Sequence, residues 1–77
     1  MDYIIVIHPA EEGGYWAEVP ALPGCFAQGE SLEDLLGDAR GAIASHIEAL
    51  REDGQPVPPG GVIVASVNLP ETAAAAS

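Results

Sequence analysis

Apolar residues recur at steps of three and four from Leu32 to Leu50, and the stretch from Ser31 to Gly54 reads as one amphipathic helix. At about 100° per residue, Leu32, Leu35, Leu36, Ala39, Ile43, Ile47 and Leu50 fall along a single stripe that needs a sheet to cover it. Ser31 suits the N-cap, with Asp34 in the reciprocal position of a capping box. Glu33, Asp34 and Asp38 suit the positive end of the helix dipole, Arg51 suits the negative end, and Gly54 supplies the stop.

Before the helix the period changes to two. Tyr3 to Ile7 is an unbroken β-branched and aromatic run ending at Pro9, which predicts a strand apolar on both faces at the centre of a sheet. Glu11-Glu12-Gly13-Gly14 is a turn whose glycines supply the positive φ of a tight hairpin. Tyr15 to Val19 forms the second strand, antiparallel to the first, with Tyr15, Ala17 and Val19 on one face and Trp16 and Glu18 on the other. Pro20-Ala21-Leu22-Pro23-Gly24 is a rigid connector to a third strand, Cys25 to Gly29.

After the helix, Pro56, Pro58 and Pro59 with two glycines make a stiff link across Gln55 to Gly61. The run Val62 to Leu69 then predicts a fourth strand, apolar on both faces and placed parallel in the same sheet by a right-handed crossover. The pattern is α+β, in the order β-β-β-α-β, with one helix on one face of a four-stranded mixed sheet. Residues 1–70 form one domain, and 71–77 are expected to be a frayed, disordered tail. The sheet face away from the helix is left bare, so a homo-oligomer is expected to cover it, with Ile4, Val6, Tyr15 and Trp16 at the interface.

Charge sharpens the picture. Twelve acids against two bases give a net charge of −10 over 77 residues. Such a field repels phosphate, which argues against direct nucleic-acid or membrane binding, and it accelerates encounter with a basic protein surface. The single Cys25 forms no intrachain disulfide, and with no transmembrane or targeting segment the expected location is cytoplasmic.

Candidate chemistry is sparse. Metal-dependent cleavage needs several carboxylates converging from strands and helix, yet neither the first strand interior nor Val62 to Leu69 contains an acid. His8 and His46 lack a second ligand at metal-binding spacing, and Cys25 reads as a small buried thiol rather than a nucleophile. No catalytic residue, metal or cofactor is therefore assigned, and the chain is read as a non-enzyme. Gly37 and Gly41, four apart on the outer face of the helix, leave room for another backbone to approach.

Three motifs resemble the HicB family of antitoxins, the partners of small RNA-cleaving toxins in bacterial toxin–antitoxin modules. They are Glu12-Gly13-Gly14-Tyr15-Trp16, Val19-Pro20-Ala21-Leu22-Pro23-Gly24-Cys25 and Gly29-Glu30-Ser31-Leu32-Glu33-Asp34-Leu35, and the likeness runs from Tyr3 to about Pro70. The resemblance implies a truncated ribonuclease H-like fold with strand order 3-2-1-4. It also implies a small basic, HicA-like toxin as partner, held off its RNA by occlusion. On that reading the acidic outer surface, with Glu11, Glu12, Glu33, Asp34, Asp38 and Glu48 as candidates, meets the toxin by imitating phosphates. Because only a short tail follows the fourth strand, the DNA-binding element of many family members is not expected here. An orphan self-assembling scaffold and a relic metal-dependent nuclease are the alternatives.

Overall fold

The computed structural model describes residues 1–71 of the chain. The element order is β1 (Val6–Pro9), β2 (Tyr15–Glu18), β3 (Phe26–Gly29) and α1 (Leu32–Glu52). The three strands form an antiparallel sheet in the order β1-β2-β3, pairing Ile7 with Ala17 and Ala17 with Ala27. The hairpin between β1 and β2 turns on Gly14, whose φ of +76° and 2.8 Å approach of its would-be Cβ to the Gly29 carbonyl oxygen exclude any side chain.

The four-stranded sheet of order 3-2-1-4 is not formed, and this corrects the expectation in two ways. Val62 to Leu69 carries no strand; Ile63 and Val67 are each 92% exposed, and Leu69 and Val64 are also solvent-facing. Consequently β1 is an edge strand rather than a central one, and Pro9, which has no N–H to donate, is tolerated there. β-propensity makes 62–69 extended, but a strand exists only when another backbone pairs with it. The projecting segment stretches the molecule to 51 Å, with a radius of gyration of 16.0 Å, against about 11–12 Å for a compact chain of this length.

The helix follows its predicted signals closely. Ser31 caps it, its hydroxyl accepting from the Asp34 N–H at 3.1 Å, and Gly54 ends it at φ +70°. Its stripe covers one sheet face in two clusters. Leu35 and Ala39 pack on Ala17 and Ala27, with Ile5 and Tyr15 at the margin. Ile43, Ile47 and Leu50 pack on Val19, Leu22 and Cys25. Leu22 is fully buried because the 20–24 connector folds under the helix, closed by Leu22 N–H to Val19 O and Cys25 N–H to Leu22 O, both at 3.0 Å. Leu32 and Leu36, by contrast, remain about half exposed. Beyond the helix the proline-rich link is pinned to the start of the chain, where the Tyr3 hydroxyl donates to the Pro58 carbonyl at 2.6 Å. The predicted tail lies outside the described residues except for Glu71.

Candidate functional site

Strand alternation sends Tyr15, Ala17 and Val19 toward the helix and Val6, His8, Trp16, Glu18, Phe26 and Gln28 to the open face. Cross-strand neighbours on that face are aromatic. His8 stacks on Trp16 with centroids 4.3 Å apart and planes 18° from parallel, and Trp16 meets Phe26 at 6.4 Å in a tilted arrangement. His8 Nε2 lies 3.0 Å from Glu18 Oε2, which orients the ring. The face is thus an aromatic stripe set among polar groups, not the continuous apolar patch that the sequence predicts.

At the hairpin end of the sheet this stripe opens into a groove. Its floor holds His8, Trp16 and Gln28, and its rim carries Glu11, Glu12, Glu30 and Asp38. Neither arginine of the chain, Arg40 or Arg51, lines it. Asp38 reaches over from the helix to accept the Gln28 N–H at 2.8 Å, which anchors one carboxylate at the groove edge. The arrangement can hold cationic side chains, with carboxylates to pair the charge and the Trp16 face to stack on it.

The groove gathers three of the six acids picked from sequence: Glu11, Glu12 and Asp38. Glu33 and Asp34 sit in the first helical turn outside it, and Glu48 lies ten residues beyond Asp38, about 15 Å along the helix axis. Of the residues expected at an oligomer interface, Trp16 and Val6 are exposed on the open face. Tyr15 instead packs against the core beside Ala17 and Leu35, while Ile4 is half-buried just before β1. Glu30, Gln28, His8 and Phe26 were not picked out for this site. Only Glu30 carried a signal, as the acid directly before the helix cap; the other three depend on cross-strand register.

Other chemistry is not assembled. Among the described residues, no three His, Cys, Asp or Glu side chains are placed to share a metal ion. Cys25 is buried, and burial pushes its thiol pKa up, so it stays protonated and unreactive near neutrality. No helix of the described residues is long and apolar enough to cross a membrane.

Comparison with known proteins adds family-level information. Residues 3–76 match the family model described as HicB_like antitoxin of bacterial toxin-antitoxin system. A UPF0150 protein of Thermoplasma acidophilum is 40% identical over 58 residues, which cover 75% of this chain and 84% of that one. The protein named Antitoxin HicB 1 of Photorhabdus laumondii is 35% identical over 71 residues, or 91% of this chain but only 46% of the relative. Among solved structures, a chain of a HicA3 and HicB3 toxin-antitoxin complex is similar at a TM-score of 0.66 and 40% identity, covering 75% of this chain and 66% of that chain.

Proposed function

We propose a function for a chain that belongs to the HicB-like antitoxin family: it neutralises a small basic, HicA-like toxin by masking the surface with which that toxin binds RNA. The observation that carries the reading is the groove itself, where Glu11, Glu12, Glu30 and Asp38 surround an aromatic floor and no lysine or arginine intervenes. Lysine and arginine side chains that would otherwise hold RNA phosphates find carboxylates at the rim and the Trp16 ring beneath. A net charge of −10 steers the two proteins together before contact. The similarity to a chain of a toxin–antitoxin complex supports the choice of partner. The role is one of binding rather than catalysis.

The experiment is titration of this chain against a small basic HicA-like toxin, with RNA cleavage and affinity both read at several salt concentrations. Stoichiometric loss of cleavage is expected, with affinity falling at least about tenfold between 50 and 500 mM salt as several charge pairs are screened. Cleavage that continues at saturation, or affinity indifferent to salt, overturns the reading.

A further inference from the structure

The open sheet face holds a second recess, on the far side of Trp16 from His8. Register places Trp16 of β2 opposite His8 on one side and Gln28 on the other, with Phe26 diagonal to it on β3. Because His8 stacks on Trp16 at 4.3 Å, the β1-side face of the indole is covered. Glu18 Oε2, 3.0 Å from His8 Nε2, holds that stack in place. The β3-side face is different. Phe26 stands 6.4 Å away and inclined at 51°, so the two rings wall a wedge rather than closing on each other.

The wedge opens on a recess of about 300 Å³ bounded by Trp16, Phe26, Ala27, Gln28 and Asp38, at the lower limit for small-molecule sites and of a size for one side chain. Its lining carries a single charge. Asp38 Oδ2 accepts the Gln28 N–H, which fixes the carboxylate against the strand. Among the described residues, no hydrogen bond or ion pair engages Asp38 Oδ1. The rim acids Glu11, Glu12 and Glu30 belong to the adjoining groove and do not line the recess.

This combination discriminates between the two basic side chains. A guanidinium is flat and weakly hydrated, so it can lie on an indole face and still aim in-plane N–H donors at a carboxylate beside it. The ammonium of lysine has no face and holds its water more strongly. One carboxylate does not separate the two by charge; the aromatic walls do.

The geometry points to an arginine anchor: the recess between Trp16 and Phe26 seats one arginine side chain of a basic protein partner, its guanidinium on the free indole face and hydrogen-bonded to Asp38 Oδ1. His8, on the other face, is the fixed backing of the ring. Resting on the reading of the adjoining groove as the toxin-facing surface, this assignment separates attraction from selection. The rim carboxylates draw in any cation, and the recess keeps arginine.

Trp16 is the only tryptophan of the chain, so its fluorescence and its indole N–H report on this site. The test is titration of the full chain at low salt with capped tetra-arginine and tetra-lysine peptides, which carry equal charge. Tetra-arginine is expected to bind at least about fivefold more tightly. Phe26→Leu alters a ring that is 60% exposed, so the fold is retained, and it is expected to bring the preference below about twofold. Asp38→Asn keeps an acceptor for the Gln28 N–H and is expected to do the same. Glu11→Lys/Glu12→Lys is expected to weaken both peptides alike and leave the preference standing. Equal affinity for the two peptides overturns the proposal in favour of plain charge attraction. A preference that survives Phe26→Leu, or one that survives Asp38→Asn, overturns it as well. A chain that prefers arginine yet leaves a HicA-like toxin active overturns the functional reading and not the recess; a chain that silences the toxin without preferring arginine does the reverse.

Discussion

The Asp38 carboxylate, on the helix, accepts the outward-pointing backbone N–H of Gln28 on β3 at 2.8 Å. One side chain thereby blunts a sheet edge and stations a negative charge at the rim of the acidic groove. These two roles separate by substitution. Asp38→Ala is expected to lower stability by about 0.5–1 kcal/mol, the low end for an exposed hydrogen bond, in urea denaturation. Asp38→Asn retains an acceptor oxygen, so stability holds while toxin affinity falls.

Glu11 and Glu12 are exposed on the hairpin and, among the described residues, make no hydrogen bond that holds the fold. The double variant Glu11→Lys/Glu12→Lys is therefore expected to leave the unfolding free energy within the scatter of ordinary surface changes, about ±0.5 kcal/mol, in urea denaturation. Stopped-flow association with the basic toxin is expected to slow by about tenfold at low salt and to lose much of its salt dependence.

Two glycines give opposite signs. A Cβ on Gly29 would collide with the backbone of Leu35 and come within 2.8 Å of the Asp34 carbonyl carbon, so the junction of β3 and α1 closes only around glycine. Gly29→Ala is expected to cost about 3 kcal/mol or more in equilibrium unfolding, because backbone rather than a flexible tip must move. A Cβ on Gly37 meets nothing within 4 Å. Gly37→Ala is expected to stabilise by about 1 kcal/mol, the helix-propensity difference.

Cys25 gives the fold an alkaline limit. Its thiol is held above its ordinary pKa by burial, so the folded chain keeps a proton that the unfolded chain releases. The contribution to stability is complete below the ordinary thiol pKa and is lost as pH rises through the raised folded value. Denaturation between pH 7 and pH 10 is expected to show falling stability that Cys25→Val reduces. Thiol reagents are expected to react with native Cys25 far more slowly than with unfolded chain.

What was legible in the sequence was what neighbouring residues decide among themselves. Helix α1, its Ser31 cap and Gly54 stop, the Gly13-Gly14 hairpin and the facing of Trp16 against Ala17 all follow from local conformational preference and from periods of 3.6 and 2. Family membership was legible too, in three short motifs, as was the acidic character of the chain. Tertiary structure alone decided the rest. Whether Val62 to Leu69 is a strand depends on a partner backbone, and among the described residues none pairs with it, so β1 is an edge. Which carboxylates share a groove depends on how β3 and α1 are apposed, which puts Asp38 beside Glu11 and Glu12 and leaves Glu48 far down the helix. The physical reason is that pairing and apposition are agreements between distant segments, and no single stretch of residues encodes both sides.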